Sequence, residues 1–277
     1  RDNVINRTLY VASGIAALSS VSVGDNSENS LTLLTTNPNI VLCWNDEFEA
    51  YLDLCKSATV VYDYEHSPTM FRQCVKSFYE QKANCISFHG GLSYITTPRE
   101  LLYSFAQCYQ DHDVKNLIKD HESSYSDVEG LLEEYHYTEI IALDSLEDII
   151  SGNVRFLSLS GLKEKHLFYT PDSYILHLKN IIYMLEKYPN FQVVLMEQKE
   201  FESSVYIKNE YGVLAFVNTE SLSVCKIEYA EMVMAIWEYA NLKIRTNLPD
   251  GLNKKQVISR IKDLICTINN YQKNKIR

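Results

Sequence analysis

The chain has 277 residues, of which 46% are hydrophobic and 22% are charged, and its formal net charge is −10. This length and composition allow a large buried core in one or two domains. No stretch approaches the ~18 uncharged apolar residues of a membrane-spanning helix, so no membrane partner is expected. The acidic balance also argues against direct nucleic-acid binding, because the locally basic tail 254–277 carries an apolar seam and its charges suit a solvated helix face.

The predicted elements of the first half start from a polar, turn-prone stretch at 24–39, where 31–34 is interpreted as a short strand. The apolar segment Leu9 to Val23 lacks a basic leader, so we do not predict a signal peptide there. From Asn45 onward helices and strands alternate. These elements are helix 46–55, strand 58–63, helix 69–82, strand 84–88 and helix 98–109.

The second half follows a polar, acidic segment at 111–130. Thr170, Pro171 and Asp172 form a helix start, with a capping hydroxyl, a first-turn proline and early negative charge. Asn253 is predicted to cap a last helix. The other predicted elements are strand 139–143, helix 145–150, strand 154–159, helix 172–187, strands 191–196, 204–208 and 213–217, and helix 228–242.

This order of elements predicts the fold class. Strand–helix–strand spacing favours crossover connections and parallel pairing. We therefore expect an α/β protein with a mixed, largely parallel sheet, crossover helices and a helical C-terminal end. Two domains are expected: an N-terminal α/β half at 1–122, and a C-terminal α/β half with a helical tail at 123–277.

The cysteines indicate the compartment. Seven are scattered along the chain without a Cys-x-x-Cys pair. This pattern is typical of reduced, mostly buried thiols in a cytoplasmic protein, with a disulfide framework as the alternative. The seven are Cys43, Cys55, Cys74, Cys85, Cys108, Cys225 and Cys266.

The run Phe88-His89-Gly90-Gly91 after a predicted strand is the best catalytic candidate. A His-Gly-Gly loop can form the oxyanion hole of an α/β-hydrolase, but such an enzyme also needs a Gly-x-Ser-x-Gly elbow, which this sequence lacks. We interpret the run as a structural turn. A serine or cysteine hydrogen bonded to a histidine beside Gly90 would contradict that interpretation and the expected absence of catalysis.

The sequence evidence for a nucleotide cofactor, a bound cation or a cysteine nucleophile is weaker. The nine glycines form neither a Gly-x-Gly-x-x-Gly nor a Walker-type loop, so no nucleotide cofactor is expected. The acidic runs 111–113 and 120–122 suit a solvated loop better than a cation site. A cysteine nucleophile meeting a histidine in space is left open by the sequence.

We predict no catalytic, cofactor-binding or metal-binding residue, and ligand-binding residues are not identified. The twenty tyrosines suit either a ligand pocket or half-buried positions.

A resemblance to a known class is carried by the run Phe168 to Asp172, the helix 173–187, the run Tyr188 to Leu195, the strand pair 207–217 and the helix 230–239. They resemble the C-terminal, non-DNA-binding region of helix-turn-helix transcriptional regulators from anaerobic Firmicutes. The resemblance covers roughly residues 138–245 and implies no functional residue.

The resemblance implies that this chain is the effector-sensing or oligomerisation region of a bacterial regulator, without catalysis. A small-molecule or peptide effector and a second copy of the chain are then the expected partners. Val257, Ile261, Leu264 and Ile268 form a narrow apolar seam, which suits either a dimer contact or docking within the chain. The alternatives are a small-molecule α/β enzyme with an unrecognised site and a protein-interaction module.

Overall fold

The computed structural model describes residues 5–23, 30–55, 57–109, 128–156, 167–196, 203–218, 222–247 and 253–275. The chain divides into two compact units, Arg1–Ser57 and Ala58–Arg277. The domain boundary expected between residues 122 and 123 lies outside the described residues.

The first unit is a three-stranded antiparallel sheet with one helix. Its elements are β1 (Ile5–Ala12), β2 (Ala16–Val23), β3 (Leu31–Thr35) and α1 (Pro38–Leu54), and the strand order is β1-β2-β3. Gly14 adopts a left-handed φ of 71° in the turn between β1 and β2. The short strand predicted at 31–34 is confirmed, whereas β1 and β2 were not predicted.

The second unit is built on a seven-stranded sheet in the order β4-β10-β9-β8-β5-β6-β7. Its strands are β4 (Thr59–Asp63), β5 (Cys85–His89), β6 (Tyr137–Ala142), β7 (Phe191–Met196), β8 (Val205–Lys208), β9 (Gly212–Asn218) and β10 (Leu222–Ile227).

The expectation of a largely parallel sheet is wrong. Only the pairs β5–β6 and β6–β7 are parallel, and the other four pairs of this sheet are antiparallel. The reason is the short connections from β8 to β9 and from β9 to β10, which can join only antiparallel neighbours. These three strands lie between β5 and β4, so β4 pairs with β10 at the sheet edge.

Helices cover both faces of this sheet. They are α2 (Pro68–Glu80), α3 (Arg99–Tyr109), α4 (128–134), α5 (Leu146–Ser151), α6 (Pro171–Lys187), α7 (Ala230–Asn247) and α8 (Lys254–Lys275). The larger core cluster joins one sheet face to α2, α3, α6 and α8, and the smaller cluster joins the other face to α7. No helix among the described residues is long and apolar enough to cross a membrane.

The capping residues predicted at the starts of two helices are confirmed by their hydrogen bonds. Thr170 Oγ1 accepts a hydrogen bond from the Ser173 backbone N–H at 3.1 Å, and Ser173 Oγ accepts one from the Thr170 N–H at 2.8 Å. This reciprocal capping box satisfies two donors at the start of α6. Asn253 Oδ1 likewise accepts from the Lys255 N–H at the start of α8. The predicted strand 154–159 is seen only as an isolated bridge between Arg155 and Phe168, and its residues 157–159 lie outside the described chain.

The apolar seam of α8 is part of the core. Val257, Ile261 and Ile268 are buried in the larger cluster, and α8 packs on α6 and β7. Of the two interpretations of this seam, the burial of these residues supports docking within the chain.

The described cysteines are free, as predicted, but the expectation that most are buried is wrong. Cys43, Cys55 and Cys266 are exposed, whereas Cys74 and Cys85 are buried. The exposed thiols lie on α1, at its end and on α8, where the apolar pattern turns one face to solvent.

Candidate functional site

Polar side chains occupy the middle of the sheet face that carries the larger core. Alternation along β5 places Ser87 and His89 on this face, and Glu139 of β6 and Tyr206 of β8 lie opposite Ser87 in register. Ser204 precedes β8 and approaches His89. We call these five residues the central polar cluster. All five are buried, because β5, β6 and β8 are inner strands and helices cover the face.

A serine–histidine pair lies in this cluster. Ser204 Oγ is 3.0 Å from His89 Nδ1, and the Tyr206 ring meets the imidazole edge-on at 5.1 Å between ring centroids. A serine is thus hydrogen bonded to the histidine beside Gly90, which contradicts the interpretation of the run as a purely structural turn. Burial lowers the pKa of His89 to about 3, so the imidazole is neutral at physiological pH.

Glu139 is held by a hydrogen-bonded chain that runs out to α6. Ser93 Oγ donates to Glu139 Oε1 at 2.5 Å, and Ser93 Oγ lies 3.2 Å from Thr96 Oγ1. Thr96 Oγ1 is 2.9 Å from His177 Nε2, and the Tyr169 hydroxyl is 2.7 Å from His177 Nδ1. The loop after β5 is thereby fixed over the sheet at several buried points.

Burial also changes the charge of the Glu139 carboxyl. It raises the pKa of Glu139 to about 8, against the opposing effect of the hydrogen bond from Ser93. The side chain is therefore largely protonated at neutral pH. A protonated carboxyl offers a hydrogen-bond donor as well as acceptors.

Three side chains of the cluster each keep an atom without a hydrogen-bond partner among the described residues: Ser87 Oγ, His89 Nε2 and Glu139 Oε2. On the same part of the face, the Tyr79 and Tyr206 hydroxyls interact with each other, and the Tyr137 hydroxyl interacts with the Cys85 thiol. Buried polar groups are nearly always paired in native proteins. The three unpaired atoms on the adjacent strands β5 and β6 therefore call for a polar partner other than the described side chains.

Lys208, on the same face, is engaged elsewhere. Its ammonium donates to the carbonyl oxygens of Phe78, Tyr79 and Gln81 at the end of α2. These carbonyls belong to the last turn and C-cap of that helix, where cations are favoured. Burial lowers the pKa of Lys208 to about 8. The role of this lysine is to cap α2, and its charge does not face a ligand.

The acidic runs 111–113 and 120–122 lie outside the described residues. Within the described ranges, no group of three or more His, Cys, Asp or Glu side chains is placed to hold a metal ion.

Sequence reasoning missed every member of the cluster except His89. A usable signal was present, since inner strands normally consist of nearly continuous apolar residues. Ser87 interrupts such a run in β5, and Glu139 interrupts another in β6. Two polar residues inside predicted buried strands indicate that those strands share a polar site.

No known protein family matches the chain by sequence, and no curated protein matches it either. Among solved structures, the archaeal chromatin protein TrmBL2, whose structure is described as showing a novel mode of DNA binding, is 9% identical with a TM-score of 0.34. That match covers 73% of this chain and 59% of TrmBL2. NucT from Helicobacter pylori is 12% identical with a TM-score of 0.35, covering 70% of this chain and 98% of NucT. Similarity at this level supports no conclusion about function.

Proposed function

We propose that the unit 58–277 binds a small, uncharged polar molecule at the central polar cluster, as the effector-sensing region of a bacterial regulator. The observation that carries the binding proposal is the set of unpaired atoms on Ser87, His89 and Glu139. The context of a transcriptional regulator rests on the sequence resemblance of residues 138–245.

The charge of the site favours a neutral ligand. His89 is neutral and Glu139 is largely protonated at neutral pH, while the nearby cation of Lys208 is bound to backbone carbonyls. A charged ligand buried here would have no counter-charge, which costs far more free energy than burying a hydrogen-bonded neutral group. Molecules that carry hydroxyl or amide groups fit the available donors and acceptors.

The site is closed in this structure. Ser87, His89 and Glu139 are fully buried, and the loop 90–98 that follows β5 is buried along its length. A ligand reaches these atoms only after a covering segment moves, so we expect association well below the usual protein–ligand rates.

Thermal unfolding of the full chain tests the proposal. The panel contains uncharged sugars, polyols and amides, with carboxylates, amines and phosphates of similar size as comparison. At least one uncharged compound at about 100 times its Kd is expected to raise the unfolding temperature by about 5 °C.

Two variants assign any such shift to the site. Ser87→Ala removes one unpaired hydroxyl and is expected to reduce the shift, whereas Ser151→Ala on the exposed surface of α5 is expected to preserve it. A panel in which no uncharged compound stabilises the protein, or a shift unchanged by Ser87→Ala, contradicts the proposal.

The Ser204–His89 hydrogen bond favours a second candidate, a serine hydrolase. The evidence for a hydrolase is weaker than the evidence for ligand binding, for two reasons. A general base works best with a pKa near the operating pH, and the pKa of His89 is about 3. His89 Nε2 also has no partner among the described residues that would orient the ring, unlike the histidine of a catalytic triad.

We expect Ser204 to resist a fluorophosphonate probe, because a weakly basic, buried histidine does not activate its hydroxyl. Intact-protein mass spectrometry after incubation at pH 7.5 measures the labelling, with an active serine hydrolase in the same tube as positive control. Stoichiometric labelling that disappears in both Ser204→Ala and His89→Gln would establish the hydrolase instead.

A further inference from the structure

The first unit exposes much of its apolar surface. Among its described residues, only Ala17, Ser19 and Val41 are buried, in a unit of fewer than sixty residues. Large apolar side chains are exposed on its strands and on α1, among them Leu31, Leu33 and Leu34 of β3. A domain this small is marginal even with a complete core, so oligomerisation is a common source of the missing stability.

The exposed surface is most continuous at β3. Helix α1 packs on β1 and β2, and the Arg7–Glu47 ion pair fixes it over β1. Leu31, Leu33 and Leu34 of β3 are 76%, 52% and 66% exposed, so apolar side chains project from both faces of this strand. One edge of β3 pairs with β2, and within the described residues no strand pairs with its other edge.

This edge lacks the sequence features that normally prevent an edge strand from pairing with another strand. The sequence Leu31-Thr32-Leu33-Leu34-Thr35 contains no charged residue and no proline, and β3 runs in regular register with β2. Natural edge strands usually carry a lysine, a proline, a bulge or a cover. An open edge of this composition is a site for pairing with another strand.

We propose that β3 pairs with β3 of a second copy of the chain, antiparallel across a two-fold axis centred on Leu33. In this register Leu33 faces its own symmetry mate, Leu31 faces Thr35, and Leu34 faces Thr32, so every cross-strand pair is apolar or methyl-bearing. The two sheets then form one six-stranded sheet.

A second copy fits this edge better than a charged partner does. An uncharged edge offers a nucleic acid, an anionic membrane or an acidic protein no electrostatic attraction. It is complementary to an identical uncharged edge, and two-fold homodimers are the commonest protein assemblies. The pairing also supplies a dimer contact in place of the α8 seam, which is buried within its own unit.

Sedimentation velocity of the full chain tests this interface. We expect the parent to be dimeric, and Leu33→Asp to raise the dimer Kd at least about 30-fold, because it places two like charges opposite each other in the sheet. Leu33 is half exposed, so the variant is expected to remain folded by circular dichroism. Met234→Asp, at a similarly exposed apolar position on α7, should leave the dimer intact.

A cross-link tests the register. In a background where the exposed Cys43, Cys55 and Cys266 are replaced by serine, Leu33→Cys is expected to form an interchain disulfide under mild oxidation, because directly opposed Cβ atoms lie within bridging reach. Leu34→Cys should cross-link far less, since it faces Thr32 of the other copy.

Three outcomes overturn the proposal. The parent protein is monomeric even at 100 times the protein concentration used for thermal unfolding, the dimer is unaffected by Leu33→Asp, or Leu33→Cys fails to cross-link. A monomeric parent that co-floats with neutral phosphatidylcholine vesicles would show that the apolar strand meets a lipid surface instead.

Discussion

Glu139→Gln is expected to stabilise the fold at pH 7 by about 3 kcal/mol. The parent loses about 1.4 kcal/mol of stability for each pH unit between the pKa of the unfolded carboxyl and pH 7. The ordinary pKa of 4.5 rises to about 8 in the folded state. At pH 7 the unfolded chain therefore gains from ionising this carboxyl and the folded chain does not. Glutamine keeps the acceptor for Ser93 and removes the titration.

The pH dependence follows with a definite sign. A carboxyl whose pKa is raised on folding contributes its full stability below about pH 4.5 and loses it as pH rises through about 8. The stability gap between Glu139→Gln and the parent should therefore be near zero at pH 4.5, grow through pH 7 and level off above pH 8. The titration of His89 affects the free energy of unfolding of both proteins equally, so it cancels in this gap.

Urea unfolding at pH 4.5, 6, 7, 8 and 9 measures this gap. Glu133→Gln, an exposed glutamate on α4, is the matched control and should change stability by less than about 0.5 kcal/mol at every pH. A destabilised Glu139→Gln at pH 7 would mean that the carboxyl is ionised in the folded state. A neutral ligand would then no longer fit the site.

Lys208→Met is expected to destabilise the unit by about 2–3 kcal/mol, since a buried hydrogen-bonding group that loses its charged partner retains most of its desolvation penalty. The substitution removes the donor shared by the carbonyls of Phe78, Tyr79 and Gln81. Methionine preserves the apolar length of the side chain, so the lost hydrogen bonds account for the change.

Two measurements locate the effect. Urea unfolding gives its size, and amide hydrogen exchange should show faster exchange in the last turn of α2 at residues 76–81 than in α6. Lys179→Met, at an exposed position of α6, is the control and should be nearly neutral. An unchanged or increased stability of Lys208→Met would show that burying the ammonium outweighs its three hydrogen bonds.

Local sequence chemistry determined most elements of the second unit. The strand predicted at 191–196 matches β7, and the helix predicted at 172–187 starts one residue earlier, at Pro171. These predictions succeed because a capping hydroxyl, a first-turn proline and apolar periodicity act within a few residues of each other. β1 and β2 were missed because weak alternation in the exposed first unit leaves little periodic signal.

Strand order and the candidate site were decided by tertiary structure. The spacing of β4, α2 and β5 is the same whether the two strands are neighbours or, as observed, separated by β8, β9 and β10. Pairing is a choice between distant segments that local patterns do not encode. In the same way, Ser204 reaches His89 across 115 residues, and Ser87 meets Glu139 only through the register of β5 with β6. The sequence by itself thus determined where most helices and strands of the second unit form, whereas burial and long-range pairing determined which polar groups share a site and which of them lose their charge.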